Sequence, residues 1–149
     1  MPIAGPSRMA RRPALVALAC LAGMVLLLSG CMIISGGRNS SDTLPDGGNI
    51  SATFVGADGN TEQTLDTGAV RATLNAIVIV RAERGELQVE LLNADGSVAF
   101  AVKARPDESI SRSGSVLTDQ QGRLRYRVRA TGARNGSYQV LYQRTPAGG

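Results

Sequence analysis

The residue best suited to chemistry in this sequence is Cys31, which follows Leu28, Ser29 and Gly30. Its thiol is a nucleophile that can be alkylated. The two small residues before it let an extended backbone enter the active site of a peptidase. An apolar run precedes this stretch and a polar, glycine-rich segment follows it. The stretch therefore divides the chain into two parts with different roles.

The part before Cys31 has the layout of an export signal. Three arginines open it, and no charged residue occurs from Ala14 to Leu28. A basic start followed by an apolar run of this length is typical of a signal peptide. As a helix these 15 residues rise about 22 Å, less than the roughly 30 Å of a hydrocarbon core. We predict that residues 1–30 form a signal helix that is removed.

The run Leu28-Ser29-Gly30-Cys31 resembles the lipobox of bacterial lipoproteins. In that family, a diacylglyceryl group is attached to the cysteine, and the chain is then cleaved before it. The resemblance implies that Cys31 begins the mature protein. It also implies a lipid anchor on the extracytoplasmic face of the cell membrane, or on the outer membrane where the host has one. Two or more acyl chains hold a protein on a bilayer stably.

Two alternatives for this segment stay open. Met32 to Ile34 extend the apolar run to 21 residues from Ala14, which is long enough for an uncleaved transmembrane helix. Cys20 is a second candidate for lipidation, but Ala17-Leu18-Ala19 is a poorer lipobox and little apolar sequence precedes it.

The composition excludes several classes of site. The chain has no histidine, so His-based triads and the commonest transition-metal sites are excluded. No cysteine follows Cys31, so the mature chain has no intramolecular disulfide. Three of the 16 basic residues lie before Cys31, which leaves 13 against 12 acidic residues and gives no argument for nucleic acid. We expect no enzymatic activity, no cofactor, no bound metal and no nucleic-acid partner.

The part after Cys31 begins with linker composition and continues with strand patterns. Residues 31–48 are rich in Gly, Ser and Asn and predict a flexible tether. Alternating apolar residues then recur through residues 49–145, with turns predicted at 56–59 and 132–136. Residues 146–149 are predicted to form a loose tail. The fold class indicated is all-β, a single antiparallel β-sandwich or jelly roll of six to eight strands.

Three stretches make the strand prediction specific. Every second residue from Val70 to Val80 is apolar, which predicts one buried face. Asn93-Ala94-Asp95-Gly96 lies between two alternating runs and predicts a β-hairpin. Ser109, Ser111, Ser113 and Ser115 alternate, which is typical of the solvated face of an edge strand.

A further pattern combines the strand from Gly85 to Leu91, the turn Asn93-Ala94-Asp95-Gly96 and the final strand Gly136-Ser137-Tyr138-Gln139-Val140. These stretches resemble the small sandwich domains of the pre-peptidase C-terminal type, which accompany secreted bacterial peptidases. The family's usual aromatic-rich early strand is missing here. The resemblance implies a binding or accessory role rather than catalysis.

The most distinctive surface pattern is Arg123, Arg125, Arg127 and Arg129, named here the arginine ladder. At period two all four project from one strand face over roughly 20 Å. Such a row can grip phosphate or carboxylate groups. More often such a row is a solvated outer face, paired here across strands with Glu86 and Glu90.

Five aspartates lie in or near turns, namely Asp58, Asp66, Asp95, Asp107 and Asp119. Carboxylates on neighbouring loops can bind Ca²⁺, but Asp near Gly is also an ordinary turn residue. The spacing of calcium loops is absent, which favours the turn role.

We therefore expect an exported, membrane-anchored lipoprotein whose β-sandwich has a non-catalytic binding or scaffolding role. One alternative is a module that binds anionic glycan or lipid head groups through the arginine ladder. Another is an accessory subunit of an exported enzyme or transporter. The expected partners are the membrane, through the lipid, and an envelope protein or anionic envelope polymer.

Overall fold

The computed structural model describes residues 31–145. The predicted signal helix, residues 1–30, and the predicted tail, residues 146–149, lie outside this range. Eight strands are present: β1 Ile33–Ser35, β2 Arg38–Leu44, β3 Gly47–Asp66, β4 Thr73–Ala82, β5 Arg84–Leu92, β6 Val98–Ala104, β7 Glu108–Leu117 and β8 Arg123–Arg144. Within residues 31–145 no helix is long and apolar enough to cross a membrane.

Two long strands, β3 and β8, run through both layers of the sandwich. Their halves nearest the β2–β3 turn belong to the first layer, in the order β2-β3-β8-β4-β7. Their other halves pair with each other and with β5 and β6 to form the second layer. Every pairing between strands is antiparallel. The predicted all-β antiparallel sandwich of six to eight strands is confirmed.

The turns predicted at residues 56–59 and 132–136 are wrong, because the chain bends there without reversing. The register of β3 with β8 shifts between Ala57 and Gly59, which is a β-bulge. Gly59 and Gly132 both have positive φ at this place. A bulge with left-handed glycines increases the local bend of a strand. Glycine at these positions therefore folds one sheet into two layers.

The core consists of the alternating residues that the sequence singled out. Leu74, Ala76, Val78 and Val80 of β4 are all buried. Val70 and Ala72, predicted on the same face, precede the first residue of that strand, and Val70 is exposed. The four residues of the arginine ladder alternate with a second buried set, Leu124, Tyr126, Val128 and Ala130.

The layers also approach closely where β6 faces β7. A Cβ built on Gly114 would lie 2.6 Å from the ring of Phe100, so only a glycine fits beneath this ring.

The flexible tether predicted for residues 31–48 is wrong for most of its length. β1 pairs with residues 56–58 of β3, and β2 pairs with β3 from Arg38 opposite Thr53 to Leu44 opposite Gly47. Every side chain of β1 and β2 is exposed. The polar composition of residues 38–44 is typical of a linker, but it is also compatible with an edge strand, which is held by backbone hydrogen bonds rather than by buried side chains. The sandwich therefore begins two residues after Cys31.

The hairpin predicted at Asn93-Ala94-Asp95-Gly96 is present between β5 and β6. The carboxylate of Asp95 accepts hydrogen bonds from the backbone N–H and the hydroxyl of Ser97. The hydroxyl hydrogen bond is the main reason that the pKa of Asp95 lies below its usual value. Gly96 adopts positive φ and closes the turn.

Candidate binding surfaces

The arginine ladder lies on the outer face of the second layer and is paired with carboxylates from both neighbouring strands. Arg125 donates from Nε to Glu62 of β3 at 3.0 Å, and its Nη2 donates to the same carboxylate. Arg127 lies between two acids, with Nη2 3.1 Å from Glu62 and Nη1 3.0 Å from Glu90 of β5. Arg129 Nε lies 3.2 Å from Glu90.

Glu90 is the most buried charged group on this surface. It is only 6% exposed, although it belongs to the outer face. Its carboxylate accepts hydrogen bonds from Arg127 Nη1 at 3.0 Å and from Gln88 Nε2 at 2.7 Å. Buried charges persist only when they are paired and hydrogen-bonded. Glu90 therefore depends on the arginines of the ladder.

Glu62 is more open and accepts from two arginines. Its hydrogen bond from Arg125 is the largest influence on its pKa, which lies below the usual value although partial burial acts in the opposite direction. Arg123 pairs separately with Asp119 at 2.9 Å. Four arginines thus face three carboxylates, so the ladder carries a net charge of about +1. Binding of anions by the ladder stays a prediction, and any anion would have to compete with these carboxylates.

The sequence identified one partner of the ladder and missed another. Glu90 was expected and is present, whereas Glu86 pairs with Lys103 at 2.7 Å. Glu62 was missed because it lies 63 residues before Arg125 and no local pattern connects the two. The strand register brings them together, since Glu62 lies directly opposite Arg127.

The aspartates considered as calcium ligands mainly accept hydrogen bonds from nearby backbone N–H groups, Asp58 in the bulge of β3 and Asp95 and Asp119 in turns. Asp58 and Asp66 each accept from a backbone N–H one or two residues later. Burial would raise the pKa of Asp119, but hydrogen bonds from the backbone of Arg123 and Gln121 outweigh it, and the pKa is lowered. Among residues 31–145 no group of three or more acidic or cysteine side chains is arranged to hold a metal ion.

A groove of about 1080 Å³ opens on the outer face of the first layer. One residue from each of its five strands contributes to a row across the sheet. In the order β2, β3, β8, β4, β7, the row consists of Asp42, Asn49, Leu141, Ile77 and Ser113, and each residue lies opposite the next. The β2–β3 turn also belongs to its lining. We name this feature the sheet groove; its outward-facing strand residues include Asp42, Leu44, Asn49, Asn75, Ile77, Ser113, Ser115, Leu141 and Gln143.

The chemistry of the sheet groove is that of neutral hydrogen-bonding groups around an aliphatic centre. Its amide and hydroxyl side chains include a pair in which Ser115 donates to Asn75 at 3.3 Å. Among the groove residues on β3, β4 and β8, Ile77 is the most exposed apolar one. The charged residues of the lining are acids, Asp42 and Asp46. All five aromatic residues of the chain are buried, so the groove has no exposed aromatic ring.

The sequence did not identify the sheet groove. It found the alternating serines of β7, but it could not show that β2 and β3 would add Asp42 and Asn49 to the same face. The signal that was available is that the outward residues are uncharged in β7, in the last part of β8 before Arg144, and in β4 as far as Ile79.

Cys31 is exposed and unpaired in the described part of the chain. Its backbone lies directly on β3, because a Cβ built on Gly59 would be 2.7 Å from the Cys31 carbonyl oxygen. Met32, the next residue, is partly buried against the core. The lipobox residues Leu28, Ser29 and Gly30 lie outside the described residues, so lipidation stays a prediction.

Comparison with known proteins gives solved structures only. No family model matches the chain, and no curated protein sequence matches it. A CBM22-1 xylan-binding domain from Paenibacillus barcinonensis Xyn10C is 11% identical, with a TM-score of 0.43 over 81% of this chain and 89% of that one. The carbohydrate-binding module CBM6cm-2 of Cellvibrio mixtus lichenase 5A is 12% identical, with a TM-score of 0.38 over 79% and 99%.

An arabinofuranosidase, MgGH51, is also similar, at 12% identity and a TM-score of 0.41. The match covers 80% of this chain but only 24% of that enzyme. At these identities and TM-scores, the likenesses define neither a family nor a ligand for this chain.

Proposed function

We propose that this protein is an exported lipoprotein, anchored through Cys31, whose sandwich is a non-catalytic module that binds a neutral, hydroxyl-rich polymer in the sheet groove. The observation that carries the proposal is the groove itself: about 1080 Å³ across five strands, lined by neutral hydrogen-bonding side chains. Binding sites of this size are commonly concave, with a few polar groups that fix the ligand's orientation.

The ligand class follows from the groove's lining. Amides such as those of Asn75 and Gln143 both donate and accept, which suits the hydroxyl groups of a glycan. Ile77 and Leu141 can contact the C–H faces of sugar rings. With no exposed aromatic ring, affinity depends on these hydrogen bonds more than on stacking. Asp42 and Asp46 disfavour an anionic polymer in this place.

Affinity electrophoresis in gels that contain neutral polysaccharides tests the proposal. Ser113 and Ser109 are both exposed and outward-facing on β7, but only Ser113 lines the groove. We expect Ser113→Trp to abolish retardation, because the indole would occupy the β7 side of the groove beside Ile77 and obstruct a ligand that lies across the strands. Ser109→Trp is the matched control and should be retarded like the wild type. Equal behaviour of the two variants would exclude the groove, and retardation only by anionic polymers would favour the arginine ladder.

The anchor is tested separately by mass spectrometry of the protein extracted from membranes. A mature chain that begins with an acylated Cys31 is expected. Cys31→Ser should abolish the modification and, because cleavage follows acylation, should leave residues 1–30 on the chain, whereas Cys20→Ser should change neither the acylation nor the cleavage. A wild-type chain in the membrane fraction that keeps residues 1–30 and carries no acyl group would indicate a spanning helix instead.

A further inference from the structure

We propose that the end of the sandwich around β1 is a bilayer-contact surface, which seats the domain on the membrane in one orientation. This inference rests on the anchoring part of the proposed function. It goes beyond anchoring, because a lipid on a flexible tether would leave the domain free to tumble.

The first argument is the distance from the anchor to the folded domain. Only Met32 separates Cys31 from β1, so Ile33 lies within about 7 Å of the lipidated residue along the chain. The Cys31–Met32 backbone is itself packed on Gly59. Two or more acyl chains at Cys31 would therefore hold β1 at the depth of the head groups.

The second argument is the character of the side chains at this end. Ile33 is 74% exposed, Ile34 is 44% exposed and Val55 is 57% exposed. Ile34 lies opposite Ala57 on β3, one diagonal step from Val55 on the same face. Ile33 projects from the other face of β1. Single exposed apolar residues are ordinary, but three around one lipidated end are what an interfacial contact requires.

The third argument is the charge around these residues. The guanidinium of Arg134 lies over Gly56 beside Ser35, and Arg38 begins the next strand. Neither arginine forms an ion pair with another residue of the range 31–145. Asp58, opposite Ile33, is the nearest acid in register. Arginines beside exposed aliphatic residues suit a surface that meets anionic head groups.

The chain offers a sharp test, because it contains no tryptophan. A single tryptophan can be placed in the full chain at Ile33 or, as a control, at Val98. Val98 is 50% exposed and lies at the opposite end of the sandwich, beside the β5–β6 turn. Each variant is expressed with its leader, extracted in detergent and reconstituted into phosphatidylcholine–phosphatidylglycerol vesicles that contain lipids brominated along the acyl chain.

We expect the fluorescence of Ile33→Trp to be quenched at least threefold more than that of Val98→Trp. Weak quenching of both variants on vesicles that retain the protein would overturn the contact surface while leaving the anchor intact. Equal quenching of both would show that no single orientation exists. If the emission maximum of Ile33→Trp in detergent shifted to the blue as the protein concentration rose, the surface would be a contact between two copies of the chain, and the bilayer-contact proposal would be overturned. Failure of the wild type to stay on vesicles would instead refute the anchor.

Discussion

Removal of Arg127 should destabilise the sandwich much more than removal of another arginine of the same ladder. In Arg127→Met, Glu90 keeps Gln88 and Arg129 but loses the guanidinium at 3.0 Å. Removing the partner of a buried charge costs about 3–5 kcal/mol when no other cation remains. Because Arg129 remains at 3.2 Å, we expect roughly half of this cost, about 2 kcal/mol.

Arg123→Met is the matched control. Arg123 also pairs with one carboxylate at 2.9 Å, but its side chain is half exposed, so its removal should cost less than about 1 kcal/mol. For a domain of this size, the difference amounts to a melting temperature about 5 °C lower in Arg127→Met than in Arg123→Met.

Urea unfolding followed by far-ultraviolet circular dichroism and by the fluorescence of the buried tyrosines measures both variants. Replacing Glu90 by Gln in the Arg127→Met background should recover part of the loss, because the buried charge that Arg129 alone still pairs with disappears. Equal stability of the two arginine variants would mean that Glu90 does not depend on Arg127.

Three further predictions concern other residues. The hydroxyl of Tyr142 is buried with no hydrogen-bond partner in the described structure. Tyr142→Phe should therefore leave the free energy of unfolding unchanged or raise it by up to about 1 kcal/mol. A clearly lower free energy of unfolding in urea titrations would show that the hydroxyl does form a hydrogen bond. Gly114→Ala should displace the ring of Phe100, which should lower the free energy of unfolding by about 1–3 kcal/mol and with it the melting temperature. An unchanged melting temperature would contradict the close packing of the two layers. The pKa of Glu62 is lower in the folded protein than its usual value of 4.5. Ionised Glu62 therefore stabilises the fold fully above pH 4.5, and this contribution is lost as the pH falls through the pKa of the folded state. The stability difference between wild type and Glu62→Gln should therefore narrow in urea titrations below pH 4.5, and a constant difference would disprove the coupling to Arg125.

The sequence predicts the faces of this sandwich well, because burial imposes a period of two on each strand. The buried residues of β4 and the alternation of the ladder with Leu124, Tyr126 and Val128 follow from that rule. The β5–β6 hairpin was also predictable, since its Asp-Gly turn is a local signal.

The parts that could not be predicted depend on long-range register. Glycines at 56–59 and 132–136 indicate a break in extended structure, but only the partner strand decides whether the chain reverses or bends. The conformation of β2 also depends on its partner, because its polar residues form a strand only where β3 supplies the backbone hydrogen bonds. The sheet groove combines four segments of the chain, so its location was inaccessible before their order in the layer was known.

Cys31 and the sheet groove lie at opposite ends of the first part of β3, which runs from Gly47 to the bulge at residues 57–59. Cys31 packs at Gly59, whereas Asn49 contributes to the groove ten residues earlier. At 3.2–3.4 Å per residue this stretch of strand spans roughly 30 Å. If β1 rests on the bilayer, the groove opens roughly that far above the head groups. Lipid head groups of the same bilayer could not reach the groove at that height, so a ligand would have to come from the space beyond the membrane, as the proposed polymer does.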